Sequence, residues 1–363
     1  MKNNKKYRVL ILFLSIIIFA ELWVFLLISK SDLPQDIPNE ESEYIEESSV
    51  NETKSEEPSS KVIYERPEYD FKRDEIEIEI SGLTKSYRIA WVSDIHMITD
   101  HKASIDVKEE FLEDIEGRYQ FFKTEDNDYY SDELWPEIVR YLNYEHLDGI
   151  IFGGDLLDYC SESNMDKLRK EYDKLDPDLK KMYIRADHDY GFWYGGDDFK
   201  ETDAENFHAQ LADRDSLNYK YLDFEEFIVL GINRSTKDMT VHQYEIVKEM
   251  YDKAKASGKG VIIATHVPYA SMVDDMNEIS LEQKSMEVRN KPYYWGGGSY
   301  IPNDVTQQYL DLIYSNDTSV CAVLAGHLHA SWDGMLTKNV RQHIFEPAYR
   351  GYIGIINIIP KEE

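Results

Sequence analysis

The sequence IAWVSDIH, at residues 89–96, joins a short apolar run to a polar turn that carries an aspartate and a histidine. Four more apolar runs end in the same way: GIIFGGD (149–155), KMYIRADHD (181–189), VIIATH (261–266) and AVLAGHLH (322–329). Continuous apolar runs of this kind are typical of strands that are buried on both faces. Because helical patterns alternate with the runs, the chain is predicted to be an α/β protein with antiparallel strand pairs at its edges.

The five runs are predicted to bring their polar ends to one rim, because α/β proteins bind ligands at the carboxyl ends of their parallel strands. Five of the ten histidines in the chain lie at these ends. A single histidine after a strand is usually a hydrogen-bonded loop residue. Several carboxylates at one rim would repel one another, however, so a cation is expected among them and the imidazoles.

The residues at this rim suit divalent metal ions. None of them is a thiolate, and carboxylates combined with imidazoles favour Mn²⁺, Fe or Zn²⁺. The candidate ligands are too many for one tetrahedral ion and fit two ions.

In their order, the motifs resemble those of the calcineurin-like metallophosphoesterase family. The motifs are D-x-H (94–96), G-D (154–155), x-x-H-D (186–189), a strand-end histidine (266) and G-H-x-H (326–329). The resemblance covers residues 89–330 and is specific as a combination, although each motif alone is weak. It implies a sandwich of two mixed β-sheets flanked by helices, a two-metal site and the hydrolysis of phosphate esters.

The resemblance also implies a role for each motif residue. The first metal ion would have three ligands, Asp94, His96 and His329. The second would be held by His266, His327 and Asp187. Asp155 would bridge the two ions, and His188 would be the acid–base histidine beside the scissile bond.

One motif departs from the family pattern. The third motif is normally Gly-Asn-His followed by Asp or Glu, and this chain has Ala186 and Asp187 in place of Gly and Asn. Two divalent ions bring four positive charges, which three carboxylates and one hydroxide would cancel. With asparagine, one positive charge would remain. We therefore expect the site to attract dianionic monoesters less strongly and to prefer phosphodiesters.

The expected reaction is an in-line displacement at phosphorus. Two divalent ions would generate hydroxide near neutral pH and hold the attacking and leaving oxygens, while His188 would donate a proton to the leaving oxygen. Asp189 would either orient the His188 ring or make a local turn hydrogen bond. Arg185 would be either a phosphate ligand or a surface arginine. Trp295, in the glycine-containing insertion 287–304, would belong either to a lid that contacts substrate or to a structural hairpin.

Local patterns predict further elements. The alternation EIEIEI (75–80), followed by Ser81-Gly82 and the next apolar run, predicts a hairpin, and residues 219–234 predict a second one. Helices are predicted around residues 132–143, 165–175, 241–256 and 304–314.

The charge and the cysteine count exclude several protein classes. The formal net charge of −30 argues against binding to a nucleic-acid backbone, which requires clustered Lys and Arg. Cys160 and Cys321 are too few for a zinc finger or a disulfide framework. They are expected to be free thiols, with a single disulfide as the alternative.

The N-terminal region differs in composition from the rest of the chain. Residues 1–8 are basic, and residues 9–29 form an apolar stretch about as long as a membrane span requires. This stretch is expected to be an uncleaved signal anchor with its N-terminus in the cytoplasm, and a cleaved signal peptide is the alternative. The acidic residues 30–66 are expected to be a disordered linker. Residues 67–363 would then form an extracytoplasmic phosphoesterase domain.

These features together predict a metallophosphoesterase tethered to the outer face of a membrane. Its substrate would be a phosphate ester of a small molecule, a lipid head group or a wall polymer. The alternative is a non-catalytic, metal-holding binding module on a membrane stalk, for which the departure at Asp187 is the supporting observation.

Overall fold

The computed structural model describes residues 64–99, 111–191, 219–233, 238–274, 302–315 and 319–362. All of these residues belong to one compact unit, Val62–Glu363. Within these ranges, no helix is long and apolar enough to cross a membrane. The predicted anchor (9–29), Trp295 and nearly all of the predicted linker (30–66) lie outside the described residues.

The strands of the described residues form two mixed sheets. In chain order, they are β1 (Lys72–Ile80), β2 (Tyr87–Val92), β3 (Gly149–Phe152), β4 (Lys180–Tyr183), β5 (Tyr219–Asp223), β6 (Phe227–Ile232), β7 (Gly260–Thr265), β8 (Val320–Ala325), β9 (Trp332–Met335), β10 (Arg341–Ile344) and β11 (Tyr352–Pro360). The first sheet has the order β1-β11-β2-β3-β4, and the second has the order β5-β6-β7-β8-β10-β9. Each sheet contains parallel and antiparallel pairs, so the predicted architecture of two mixed sheets is confirmed.

The central strands are apolar throughout because both of their faces are buried. On β2, Ile89 and Trp91 belong to the core that is shared with side chains of the second sheet, such as Ile262. The alternate residues, Ala90 and Val92, pack in a separate core beneath helices. This arrangement explains why these runs lack the polar alternation of a strand with one solvated face.

Helices cover the outer faces of both sheets. They are α1 (Leu112–Phe121), α2 (Ser131–Tyr144), α3 (Glu162–Tyr172), α4 (Asp187–Tyr190), α5 (Val241–Ala256) and α6 (Asp304–Ile313). Apolar residues of α2 and α3 pack in the core of the first sheet, and those of α5 and α6 pack in the core of the second. The four helices predicted from the sequence are therefore confirmed, whereas α1 and the one-turn α4 were not predicted.

Side-chain caps fix where three of these helices begin. Ser161 Oγ accepts a hydrogen bond from the backbone N–H of Asn164 at α3, and Asn303 Oδ1 accepts one from Thr306 at α6. At α5, Thr240 and Gln243 each accept a hydrogen bond from the other's backbone N–H, which is a capping box. Such caps satisfy N–H groups that lack partners within the helix.

The predicted hairpin between β1 and β2 is wrong, because β11 lies between these two strands. Strand β11 pairs parallel with β1 and antiparallel with β2. Strand β11 has nine residues, against six in β2, and pairs with β1 along its whole length. The second predicted hairpin, β5–β6, is confirmed. Cys160 and Cys321 are free thiols, as expected.

A buried ion pair joins the two sheets. His343 on β10 is 4% exposed, and its Nε2 lies 3.1 Å from Asp74 Oδ1 on β1. Its Nδ1 lies 3.7 Å from Asp333 Oδ1 on β9, and Arg341 also donates to Asp333. Burial would lower the pKa of His343, but the hydrogen bonds and charges of Asp333 and Asp74 outweigh burial and raise the pKa.

The pair predicts that its contribution to stability is lost as pH rises above about 6.5. Because the folded-state pKa is raised, the contribution of His343 is full below the unfolded value of about 6.5 and is lost as pH rises through the folded-state pKa. The melting temperature of a His343→Gln variant should therefore depend less on pH above about 6.5 than that of the wild type.

The measurement is calorimetric unfolding across this pH range. The control is His242→Gln, which changes an exposed histidine on α5 and should leave the pH dependence unaltered. Parallel curves for wild type and His343→Gln would show that the ion pair does not contribute.

Candidate metal centre

Five strand ends, three from the first sheet and two from the second, place their polar side chains at one site. His266 Nε2 lies 3.0 Å from Asp155 Oδ2, and His327 Nδ1 lies 3.3 Å from His266 Nε2. His96 Nε2 lies 3.0 Å from His329 Nε2. Two ligand atoms that are each about 2.1 Å from one ion, at right angles, lie about 3 Å apart, so these spacings fit shared metal ions.

The ligand atoms fall into three overlapping groups, each within a span of 4.8 Å. The groups are Asp94, His96 and His329; Asp155, His266 and His327; and His96, Asp155 and His188. The first two groups contain six of the seven predicted metal ligands and correspond to the two ion positions that the resemblance implied. The predicted seventh ligand, Asp187, is in none of the groups.

Five of these residues have left-handed backbone conformations. The φ angles are 56° at Asp94, 48° at His96, 52° at Asp155, 75° at His327 and 54° at His329. Among the other described residues that are not glycine, only Asn127 and Glu225 have a positive φ. Each such conformation costs about 1–2 kcal/mol and persists where surrounding contacts impose it, so the strain of this structure is concentrated at the candidate ligands.

The protonation states at the site suit metal binding. Burial lowers the pKa of His96 to about 4 and that of His327 to about 3, so both rings are neutral at pH 7. Burial would raise the pKa of Asp94 and of Asp155, but the surrounding histidines, with His266 contributing most, together outweigh burial and hold both pKa values below the usual range. Neutral imidazoles and ionised carboxylates are the forms that bind divalent ions.

Two further observations at the bridging position agree with a bound cation. Asp155 Oδ1 is buried and has no hydrogen-bond partner among the described residues, which is costly for a carboxylate unless a cation contacts it. Burial would lower the pKa of His266, but Asp155 and Asp94 raise it to about 10. A divalent ion would compete with that proton for the same nitrogen lone pair.

A chain of hydrogen bonds orients the Asp94 carboxylate. Trp91 Nε1 donates to Ser93 Oγ at 3.0 Å, and Ser93 Oγ donates to Asp94 Oδ2 at 2.6 Å. The backbone N–H of His327 also donates to this carboxylate at 3.1 Å. The contact requires glycine at position 326, because a Cβ there would lie 2.5 Å from both Asp94 Oδ2 and Ser93 Oγ.

Two imidazoles are fixed through the nitrogen that faces away from the site. His266 Nδ1 donates to the Gly153 carbonyl oxygen at 2.9 Å, and His96 Nδ1 donates to Asp158 Oδ1 at 2.9 Å. Each bond sets the tautomer and leaves Nε2 as the metal-facing atom, which is the usual arrangement of metal-bound histidines.

Asp158 is a site residue that the sequence analysis missed. Besides His96, its fully buried carboxylate accepts two hydrogen bonds from the Arg118 guanidinium, at 2.5 Å each. Burial would raise its pKa, but Arg118 and the two histidines His188 and His96 hold the pKa well below its ordinary value. The available signal was an acidic residue three positions after Asp155 in an otherwise apolar segment.

His188 lies beside His96, and Asp158 holds its ring. The ring centroids of His188 and His96 are 4.7 Å apart at 82°, and His188 Nδ1 lies 2.6 Å from the Asp158 carbonyl oxygen and 3.4 Å from Asp158 Oδ1. From the sequence, Asp189 was predicted either to orient this ring or to make a local turn hydrogen bond. The structure places His188 Nδ1 against Asp158, whereas the role of Asp189 toward the His188 ring stays a prediction.

The fully buried Asp189 carboxylate instead accepts hydrogen bonds from two loops. It accepts hydrogen bonds from the backbone N–H groups of Asp155, Leu156, Leu157 and Ala186, at 2.9–3.1 Å. The Tyr183 hydroxyl donates to it at 2.5 Å. The bond from Ala186 is the local turn hydrogen bond that was expected as the alternative for this residue. The bonds from residues 155–157 hold the Asp155 loop against the loop that carries His188.

The other two predicted site residues of this loop are Asp187, within the motif, and Arg185, directly before it. Asp187 is the first residue of α4; its Oδ1 is buried without a partner among the described residues, and burial and then the charge of Asp155 raise its pKa. Arg185 is fully buried, with its guanidinium 5.0 Å over the Tyr183 ring, so the expectation of a surface arginine is wrong. Its role toward phosphate stays a prediction.

Comparisons with solved structures find similar chains at low sequence identity. A dimetal phosphatase from Danio rerio is 11% identical with a TM-score of 0.45, and the match covers 73% of this chain and 88% of that one. A putative 5'-nucleotidase from Staphylococcus aureus and a purple acid phosphatase from yellow lupin are each 12% identical, with a TM-score of 0.39 and 74% of this chain covered. This chain spans 50% and 45% of their lengths, respectively. A search of curated protein sequences found no match.

A match to a family model shows the family of this chain, which identities of 11–12% to solved structures cannot do. The model described as calcineurin-like phosphoesterase matches residues 87–331, which is 245 of 363 residues. The matched region contains all five strand ends and every described residue of the three ligand groups. The chain belongs to the calcineurin-like phosphoesterase family.

Proposed function

We propose that the chain is a metal-dependent phosphoesterase that is held at the outer face of a membrane and prefers phosphodiesters. Its family supports the hydrolysis of phosphate esters. The observation that carries the proposal is the overlap of the three ligand groups, two of which share Asp155, with His188 in one of those two. A site with these ligands and an adjacent proton donor has the parts that phosphoester hydrolysis requires.

The residues would hold the metal ions as two sets around Asp155. Asp94, His96 and His329 form one set, and His266 with His327 forms the other. When bound, two divalent ions supply hydroxide near neutral pH and offset the charge on the phosphoryl oxygens. The hydrogen bonds to Asp94, His96 and His266 keep these ligands in place before the ester binds.

His188 would protonate the leaving oxygen. Its Nδ1 is occupied by the Asp158 carbonyl oxygen, which leaves Nε2 to carry the transferred proton. Burial would lower the pKa of His188, but the charges of Asp155 and Asp158 raise it to about 10, which favours the protonated ring. The positive charge of bound ions opposes these carboxylates and shifts the pKa toward neutrality, where a general acid is most effective.

Asp187 would set the preference for diesters. Its carboxylate stands where the family pattern has a neutral amide, and charges at a metal site are poorly screened. An additional negative charge disfavours a dianionic monoester more than a monoanionic diester. The preference therefore follows from the charge of one residue close to Asp155.

The sequence supports the proposed location. Residues 9–29 are suited to span a membrane, the basic residues 1–8 favour a cytoplasmic N-terminus, and residues 30–66 form an acidic spacer. An enzyme in this position would encounter lipid head groups, wall polymers and extracellular small molecules as phosphate esters.

Protease treatment of intact cells tests the location. Protease should cut the acidic spacer and release a fragment that contains the phosphoesterase domain. A chain that is protected until the cells are lysed would contradict the outward orientation, and an untreated sample controls for spontaneous release.

One assay distinguishes the proposed enzyme from the alternative, a metal-holding binding module. The full-length chain in detergent, stripped with a chelator and reloaded with Mn²⁺, should hydrolyse bis(4-nitrophenyl) phosphate faster than 4-nitrophenyl phosphate. The control is the Asp155→Asn variant prepared identically. Metal uptake without hydrolysis of either ester would favour the binding module.

A further inference from the structure

Helix α1 brings an arginine to the groups that support one metal ligand. Arg118 lies in the last turn of α1, and its guanidinium donates from Nε to Asp158 Oδ2 and from Nη2 to Asp158 Oδ1. The same guanidinium lies 5.3 Å over the Phe122 ring. Arg118 belongs to none of the five motifs at the strand ends, because α1 lies between the first motif and the second.

Asp158 and Phe122 support the His96 ring from two directions. Asp158 Oδ1 accepts a hydrogen bond from His96 Nδ1 at 2.9 Å, which fixes the imidazole at its edge. The Phe122 ring stacks on the face of the imidazole, with centroids 4.3 Å apart and planes at 7°. Because Arg118 contacts both supports, a single side chain of α1 connects the two groups that orient His96.

The pair formed by Arg118 and Asp158 has a carboxylate that is fully buried. Removing one partner of a buried ion pair leaves the other charge uncompensated, so the Asp158 carboxylate should shift when the guanidinium is absent. His96 Nδ1 would then lose the acceptor that leaves Nε2 facing the metal site. Loss of such an outer partner commonly costs about 10- to 100-fold in metal affinity.

Contacts with the start of α2 fix the end of α1 that carries Arg118. The backbone N–H of Ser131 donates to the Phe122 carbonyl oxygen at 3.0 Å. The Tyr119 ring stacks on that of Tyr130, with centroids 4.4 Å apart and planes at 10°. These contacts involve no metal ligand, so the position of Arg118 is set independently of the ions.

We propose that Arg118 is a positioning residue for the metal ligand His96 and acts through Asp158. The inference rests on the metal site of the proposed function and adds a residue outside the motifs that controls metal affinity. Arginine suits this role because its planar guanidinium offers two donors in the geometry of a carboxylate, whereas lysine offers a point charge.

The test measures Mn²⁺ binding by calorimetry to the full-length chain in detergent, after a chelator has removed bound metal. Arg118→Ala should weaken the binding of one Mn²⁺ about 10- to 100-fold, and Arg118→Lys should weaken it less. Guanidinium chloride should restore part of the affinity of Arg118→Ala, whereas sodium chloride at the same concentration should not. If Arg118→Ala does not fold, Arg118→Lys carries the test, because it keeps a positive charge beside Asp158.

The matched control is Arg140→Ala on α2. Arg140 also pairs with a buried carboxylate, that of Glu137, and its side chain is 41% exposed, against 33% for Arg118. This pair contains no contact with a candidate metal ligand. Arg140→Ala should therefore bind Mn²⁺ as the wild type does, and an equal loss in both variants would show a general effect of breaking a buried ion pair.

A double-mutant cycle tests the route through Asp158. Asp158→Ala removes the carboxylate through which Arg118 would act, so adding Arg118→Ala to it should cause little further loss of Mn²⁺ affinity. Losses that add in the double variant would show that Arg118 acts by another route and would overturn the proposal.

Two outcomes separate the positioning role from the proposed function. Unchanged Mn²⁺ affinity in Arg118→Ala, with two ions bound by the wild type, would overturn the positioning role alone. A wild type that binds Mn²⁺ but hydrolyses no ester would overturn the proposed function, while a weaker Mn²⁺ affinity in Arg118→Ala would still support the positioning role. A wild type that binds no Mn²⁺ would contradict both.

Discussion

Replacement of His188 by alanine is expected to slow the hydrolysis of phosphodiesters with poor leaving groups by about 10²–10⁴-fold. The imidazole lies beside His96, is fixed by the Asp158 carbonyl oxygen and has its pKa raised to about 10 by Asp155 and Asp158 against the effect of burial. These features provide a positioned and protonated donor. Its removal forces an alkoxide to depart without a proton.

The measurement is the rate of wild type and His188→Ala on diesters whose leaving groups span several pKa units. The loss should shrink as the leaving group becomes more acidic, because a 4-nitrophenolate needs no proton. Metal content should remain that of the wild type, and His146→Ala, at an exposed position, should be unaffected. An equal loss for good and poor leaving groups would assign His188 a different role.

Replacement of Asp187 by asparagine is expected to shift the preference toward monoesters. The change removes one negative charge, and its buried Oδ1 has no hydrogen-bond partner among the described residues to offset that charge. At an effective dielectric constant of about 20, a unit charge about 5 Å away is worth about 3 kcal/mol, or about 10²-fold. Removing the Asp187 charge would reduce the repulsion of the second negative charge of a monoester, whereas a diester has no second charge.

The readouts for Asp187→Asn are the ratio of monoester to diester turnover and the affinity for inorganic phosphate measured by calorimetry. Both should rise, and the ascending limb of the pH–rate profile should move to lower pH because the site becomes more positive. Asp178→Asn, which removes an exposed carboxylate nearby in sequence, is the charge-matched control. Unchanged ratios and an unchanged pH profile would show that Asp187 does not act on the site.

The sequence predicts which strand ends lie together, because the pattern that marks each strand end is local. Each ligand follows a strand that is recognisable from a short apolar run, and parallel strands bring their ends to one edge. The distances among Asp155, His266 and His327 agree with that reasoning. The charge difference at Asp187 is likewise visible in the sequence itself.

Features that depend on distant partners are not predicted. The sequence pattern predicts that β1 pairs with β2, the next strand in the chain. Instead, β1 pairs with β11, whose residues lie about 280 positions later in the sequence. Arg118 bonds Asp158 from the unpredicted helix α1, where only Ile115 and Tyr119 are buried, a stripe too narrow to reveal an amphipathic helix. The burial of Arg185 similarly depends on packing that one local pattern does not specify.

The central claim is that five strand ends assemble a site for two metal ions. Its most direct test is the metal content of the full-length chain, purified in detergent, reloaded with Mn²⁺, Fe²⁺ or Zn²⁺ and freed of unbound ions. The account predicts close to two ions per chain and fewer in the Asp155→Ala variant, which lacks the residue shared by two ligand groups. A wild-type chain that takes up none of these metals would contradict it.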